Sequence, residues 1–293
     1  MESLSRIEQA LVAAVTAAEA RGAPPKLAAA LRHAVFPGGA RIRPLLCVAV
    51  AQACGDDDPA LCDAAAGAIE LLHCASLVHD DLPCFDDAPM RRGLPSVHHA
   101  FGERIAVLAG DALIVLAFQT LAQAAGRSPQ RLAPLLATIS SGVGMPHGIV
   151  AGQAWECEPR VALRDYQRAK TGALFAAATA AGALAAGAEP GPWRAFGDCL
   201  GEAYQVADDI RDVAADPLAL GKPMGQDIAL GRPSFATEQG LEEAIRHFDA
   251  LVQRASEAVP ECRGAPKLRA LVRMESERLV PKALSADLAR IAA

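Results

Sequence analysis

Two aspartate runs carry residue types and spacings that could do chemistry. His79-Asp80-Asp81-Leu82-Pro83-Cys84-Phe85-Asp86-Asp87 closes a long apolar stretch, and Tyr204-Gln205-Val206-Ala207-Asp208-Asp209-Ile210-Arg211-Asp212 lies among small and apolar residues. In the second run Gln205, Asp208, Asp209 and Asp212 fall at i, i+3, i+4 and i+7, which puts them on one helical face. Like charges at that spacing destabilise a helix by roughly a few tenths of a kcal/mol per pair. A solvated outer face is the ordinary explanation, but the apolar flanks and the second acidic cluster point to a bound cation. In the first run Pro83 cannot continue the preceding helix. The chain must bulge, which can bring Asp86 back near Asp80. Hard oxygen ligands suit Mg²⁺, which is typically held by a few carboxylates together with substrate phosphates. The expectation is that the two clusters hold Mg²⁺ ions bridged by a diphosphate.

Cations follow at useful places. Arg91-Arg92 comes after the first cluster, Arg41 and Arg43 lie in Gly38-Gly39-Ala40-Arg41-Ile42-Arg43-Pro44, Lys170-Thr171-Gly172 sits mid-chain, and Lys222 follows the second cluster. Singly each reads as a surface charge; together they could bind a second diphosphate without metal, as guanidinium forks do. His73 stands seven residues before Asp80, on the same helical face. A third acidic run, Asp56-Asp57-Asp58 between Gly55 and Pro59, reads instead as a loop ending in an N-cap aspartate with proline at the first helical position. The eight cysteines show no Cys-x-x-Cys pair and are read as reduced and structural, most of them in apolar helices.

The elements that must position these residues are helical. Alanine is abundant, aromatics make up 4%, and β-branched residues do not cluster, a balance that favours helix over sheet. Gly and Pro punctuate helical periodicity over Leu4–Arg21, Lys26–Val35, Pro44–Cys54, Ala60–Asp80, Gly102–Ala125, Pro129–Val143, Gly148–Cys157, Leu163–Ala186, Trp193–Val213, Glu238–Val259 and Pro266–Arg290, the last broken near Pro281. No segment reads as a strand. With 293 residues, 52% of them hydrophobic, the expectation is one all-α domain over residues 1–293, an antiparallel bundle around a deep apolar pocket. A formal net charge of −6 argues against nucleic acid as partner. The N-terminus lacks a signal-peptide pattern, and the uncharged stretch Ala173–Ala188 is short for a membrane span, so a cytoplasmic protein is expected.

These residues resemble the trans-type isoprenyl diphosphate synthases, from about Phe36 to Phe235. The first aspartate-rich motif of that family matches Asp80 to Asp86 followed by Arg91-Arg92-Gly93, and its second matches Tyr204-Gln205 through Asp212. The resemblance implies the isoprenoid synthase fold, a homodimer, and condensation of isopentenyl diphosphate with an allylic diphosphate, with three Mg²⁺ ions bound alongside the allylic substrate. Carried over residue by residue, it implies Asp80, Asp86 and Asp208 as metal ligands, with Asp212 at the second cluster and Asp81 in support. Arg91, Lys170, Thr171, Gln205 and Lys222 match positions on the allylic diphosphate, and Arg43, His73 and Arg92 match positions on isopentenyl diphosphate. Asp80, Asp81, Asp86, Lys170 and Asp208 are thus the expected catalytic set.

The chain departs from the family pattern at named places. Ala40 stands where a Lys is usual, Arg211 where a Leu is usual, and Glu156 follows Gly152-Gln153 where an Asp is usual. Gly38-Gly39-Ala40-Arg41 is similar to a form found in bacterial geranylgeranyl diphosphate synthases of the carotenoid type. Chain length is expected to depend on Ala75, five residues before Asp80 and about 7 Å down the helix, and on Ser76 beside it. Small side chains there leave room for the twenty-carbon product, with farnesyl diphosphate as runner-up and Phe118 as a possible deeper floor. A modulatory subunit without activity, motivated by Ala40, and a terpene cyclase, which would lack the site of Arg43, His73 and Arg92, are the competing readings.

Overall fold

The computed structural model describes residues 2–159, 162–214 and 234–280. They fall into two compact units, Met1–Ser140 with Ala178–Glu189, and Ser141–Ala177 with Pro190–Ala293. Apart from one two-residue hairpin, the regular structure among the described residues is helical.

The first unit holds α1 (Glu2–Ala18), α2 (Pro25–Val35), α3 (Ile42–Ala53), α4 (Pro59–Asp80), the strands β1 (Met90–Arg91) and β2 (Leu94–Pro95), α5 (Val97–Phe101) and α6 (Glu103–Ala124). Its centre is α4. Asp58 caps the helix by accepting from the Leu61 amide at 3.4 Å, with Pro59 in the first turn. The rest of the third acidic run is taken by arginines, Asp56 by Arg6 at 2.8 Å and Asp57 by Arg131 at 2.7 Å. Ala65, Ala66, Ala68, Ile69, Leu71 and Leu72 are all buried, so α4 is apolar all round, as a core helix must be. It packs lengthwise against α6, and Gly110 admits the His79 ring, which lies 2.1 Å from where a Cβ would stand. Both helices are long and apolar enough to cross a membrane, but α4 is largely buried within its unit.

The second unit holds α8 (Ile149–Trp155), α9 (Leu163–Gln167), a π-helical segment (Arg168–Gly172), α11 (Gly191–Ala214), α12 (Phe235–Gln239), α13 (Leu241–Glu257) and α14 (Ala265–Leu279). Between these elements of sequence lie α7 (Leu132–Val143) and α10 (Ala173–Ala185). Its core gathers Val206, Ala207 and Ile210 of α11 with Ala244, Phe248 and Leu251 of α13 and Leu279 of α14.

Several elements differ from the expectation. The hairpin β1–β2 and the short α5 have too few residues for a periodic signal. The expected helix Leu163–Ala186 is interrupted by the π segment, and Glu238–Val259 is divided at Gly240, whose φ of +85° ends α12. The break near Pro281 lies outside the described residues.

Candidate active site

In the first unit the chain after α4 folds back as Pro83 demands. The Asp86 amide donates to the Asp80 carbonyl at 3.0 Å, and the Ala88 amide to that of Asp81 at 3.2 Å. Asp80 and Asp86 consequently offer carboxylate oxygens within 4.8 Å of one another. Two hard oxygen donors that close fit a Mg²⁺ ion, which binds ligands at about 2.0–2.1 Å. Asp81 points elsewhere. It is 2% exposed and accepts from Arg91 Nε at 2.8 Å, with Arg91 Nη2 on the same oxygen. Burial pushes the Asp81 carboxyl up, against the pull of Arg91. Burial likewise works against the charge on Arg91, but Asp81, then Asp80 and Asp86, outweigh it and hold its pKa above the ordinary value. Asp81 thereby fixes Arg91 beside the carboxylate pair.

One helical turn and more below, a second cluster is cationic. Arg43 Nη1 lies 3.4 Å from His73 Nε2, and Arg92 Nη2 lies 3.7 Å from the buried Glu70. Burial first, then Arg43, Arg92, Arg91 and Arg41, hold the His73 imidazole well below its usual pKa. Gly39, at φ +141°, leaves room for the Arg92 guanidinium, whose Cζ would be 2.8 Å from a Cβ there. Arg41 serves differently from the expectation that it joins Arg43, Arg91, Arg92, Lys170 and Lys222 in binding a diphosphate. It is 3% exposed and donates to Glu70 at 2.6 Å, Glu8 at 2.8 Å and the Val35 carbonyl at 2.7 Å. Its guanidinium is consumed inside the protein, at a non-glycine residue with φ +50° that caps α3. Arg43 and Arg92 lie close enough to His73 to act on its charge, as the resemblance implies for a shared site. Ala75 is 1% exposed on the buried side of α4, and Ser76 is half-buried with its hydroxyl donating to the His73 carbonyl at 2.8 Å.

In the second unit, the acidic stripe on α11 has two kinds of member. Asp209 is 1% exposed and accepts from Gln205 at 2.9 Å, Gln167 at 3.0 Å and the Phe235 amide at 2.7 Å. It ties α9, α11 and α12 together. Asp208 is more open and pairs with Arg211 at 2.9 Å, while Arg211 also lies over the Tyr204 ring at 5.8 Å. Asp212 is buried at 6% exposure. Thr171 donates to Gln205 Oε1 at 2.5 Å, which joins two of the expected substrate contacts. Lys170 pairs with Glu156, which also accepts from Tyr166 at 2.6 Å and Gln153 at 3.3 Å. Lys170 and Thr171 both sit on the π segment, a distortion that often marks functional sites. Gly152 lets α8 reach its backbone, and Gly201 lets α11 approach Gly172.

Sequence reasoning missed Glu70, Glu156 and Tyr166 as members of these networks. Glu70, a lone carboxylate in an apolar helix, was the available signal, since such a group must find a cation. Of the eight cysteines, Cys47, Cys62 and Cys74 are buried as expected, but Cys84 and Cys157 are exposed. Lys222 lies outside the described residues.

Comparison with known proteins gives the family. The model of the polyprenyl synthetase family matches residues 24–267. The geranylgeranyl diphosphate synthase of Cereibacter sphaeroides is 53% identical over 281 residues, covering 96% of this chain and 98% of the relative. The geranyltransferase of Legionella pneumophila superposes with a TM-score of 0.81 at 29% identity, over 95% of each chain. A Helicobacter pylori geranyltransferase complexed with magnesium and isoprenyl diphosphate gives a TM-score of 0.74 at 29% identity, over 99% of this chain and 98% of that one. Two aspartate-rich motifs in the right order, a carboxylate pair backed by guanidiniums, and near full-length likeness agree: the chain belongs to the polyprenyl synthetase family.

Proposed function

We propose that the protein condenses isopentenyl diphosphate with allylic diphosphates, as a Mg²⁺-dependent geranylgeranyl diphosphate synthase working as one synthase domain. One family model running through residues of both units supports the single domain. The observation that carries the reading is the first unit's pairing of a carboxylate pair, Asp80 and Asp86, with a separate cluster in which the guanidiniums of Arg43 and Arg92 act on the neutral His73. The chemistry needs both, because one diphosphate leaves and the other stays attached to the nucleophile.

In this reading Asp80 and Asp86 at one cluster, and Asp208 with Asp212 at the other, hold three Mg²⁺ ions. The bound metal supplies electrostatic stabilisation to the diphosphate as the allylic C–O bond breaks. Arg91, oriented by Asp81, with Lys170, Thr171, Gln205 and Lys222, binds the same leaving group. Arg43, His73 and Arg92 hold isopentenyl diphosphate so that its double bond meets the allylic cation, and positioning removes much of the entropic barrier. A proton is then lost to the departing diphosphate. In this reading the small side chains of Ala75 and Ser76 would leave room for the twenty-carbon product. The exposed Val107, Leu108 and Val115 of α6 give a homodimer an apolar face, and the setting is the cytoplasm.

The test is incubation of purified protein with Mg²⁺, labelled isopentenyl diphosphate and each allylic primer, followed by product chain length. Geranylgeranyl diphosphate is expected. Absence of condensation with every primer refutes the enzyme, and a fifteen-carbon end product refutes the role of Ala75 alone.

A further inference from the structure

Outside the diphosphate machinery, the first unit brings a second kind of ligand set together. The antiparallel pairing of Met90 with Pro95 and Arg91 with Leu94 turns the chain back on itself, and the Ser96 amide donates to the Pro89 carbonyl at 3.0 Å. The hairpin therefore sets Asp87, just beyond the first aspartate cluster, against the start of α5. There Asp87, His98 and His99 each present one ligand atom, and all three atoms lie within 4.8 Å of one another.

His98 is the fixed member. It is 8% exposed, and its Nε2 is buried without a hydrogen bond, aimed at Asp87 Oδ1 3.6 Å away. Its other ring nitrogen, Nδ1, is 3.0 Å from the hydroxyl of Ser96, itself 1% exposed. If Nδ1–H donates to Ser96, the Nε2 lone pair faces the cluster. That is the arrangement in which protein histidines bind metal, with the second nitrogen held by a hydrogen bond. Asp87 and His99 are exposed and adjustable, and the His99 ring packs edge-on against His98 with centroids 4.6 Å apart.

We propose that Asp87, His98 and His99 form a binding site for one divalent transition metal of the zinc class, separate from the Mg²⁺ clusters. The donor set decides the class. Two imidazoles and a carboxylate suit Zn²⁺ and its neighbours, whereas Mg²⁺ prefers oxygen alone. Zn–N and Zn–O bonds of about 2.0–2.2 Å place neighbouring tetrahedral ligands roughly 3.3–3.6 Å apart. The Asp87–His98 separation already meets this, and His99 needs only a side-chain adjustment. Three protein ligands leave the fourth position to water. A bound ion ties the end of the aspartate loop to α5, so its occupancy stiffens the segment that carries Asp86. The inference does not depend on which prenyl diphosphate the protein makes.

The experiment is calorimetric titration of the full chain with Zn²⁺, after chelator treatment and with Mg²⁺ in large excess to fill oxygen-only sites. Co²⁺ titration, read by visible absorption, reports the ligand geometry. One equivalent of Zn²⁺ is expected, with tetrahedral Co²⁺ bands. His99→Ala and Asp87→Asn, both at exposed positions, should each weaken binding by about tenfold or more. Circular dichroism confirms that the variants fold. Absence of Zn²⁺ binding, or binding left unchanged by both substitutions, overturns the proposal. The latter result would put the ion elsewhere in the chain, and the former fits His98 Nε2–H simply donating to Asp87.

Discussion

The Arg41–Glu70 pair gives the most exacting test of how the first unit is held together. Both side chains are nearly inaccessible, at 1% and 2% exposure, and they meet at 2.6 Å. Removing one partner of such a pair leaves a buried charge and typically costs about 3–5 kcal/mol. Glu70→Gln should fall near the lower end, about 3 kcal/mol, because Arg41 keeps Glu8 at 2.8 Å and the Val35 carbonyl at 2.7 Å. Glu70→Ala should cost more, since it also opens a cavity in α4. The double variant Arg41→Met/Glu70→Leu should cost clearly less than the sum of Arg41→Met alone and Glu70→Leu alone, by about 1 kcal/mol or more. Urea unfolding of the wild type, these two single variants and the double variant measures the cycle. Glu70 also stands 3.7 Å from Arg92, so Glu70→Gln should raise the KM for isopentenyl diphosphate more than that for the allylic primer. Additive single costs, or a loss below about 1 kcal/mol for Glu70→Ala, would refute the claim that a desolvated ion pair organises this end of the site.

Three further outcomes are expected. His73, held neutral by burial and its guanidinium neighbours, should titrate below its ordinary value of 6.5 by NMR. A depressed histidine pKa means that the unfolded chain takes up the proton first, so stability falls as pH drops below about 6.5, and His73→Gln should flatten that limb. A titration midpoint at or above 6.5 would contradict the electrostatics described. Arg211→Leu removes the cation that pairs with Asp208; the pair is partly exposed, so the Mg²⁺ concentration giving half-maximal activity should drop by about five-fold at most. An unchanged Mg²⁺ dependence would mean that the pair does not compete with metal. Ala75→Tyr, at a buried position facing the core side of α4, should shorten the product, read by chromatography of the dephosphorylated alcohols; unaltered chain length in a folded variant would remove Ala75 from product control.

Much of the site was legible because its signals are local. The return of Asp86 to Asp80 follows from one proline after a helix, and the shared face of Gln205 and Asp209 follows from helical period. The joining of Arg43, His73 and Arg92 was readable only through family resemblance, since it depends on how α3 and the segment after β1 pack on α4. Arg41 shows what the sequence hides. Arg41 and Arg43 look equivalent two residues apart, yet one is buried against Glu70 and Glu8 while the other meets His73. Arg41 is the left-handed N-cap and Arg43 lies in the first turn of α3, and side chains two residues apart on a helix do not share a face. Likewise, the π segment leaves no periodic trace, because a widening of the helix over only the five residues Arg168–Gly172 is too short to alter the pattern.

That segment has a consequence for how the protein can vary. A side chain at Gly152 would meet the Lys170 backbone at 2.3 Å, and one at Gly201 would meet Gly172 at 2.6 Å. The obstacles are main-chain atoms, which cannot swing aside as a flexible side chain would. Lys170 and Thr171 are therefore geared to Gln205 and Asp209, like teeth cut on a single casting. A substitution that shifts one group must carry the others with it. Sequence divergence therefore has little freedom at this joint.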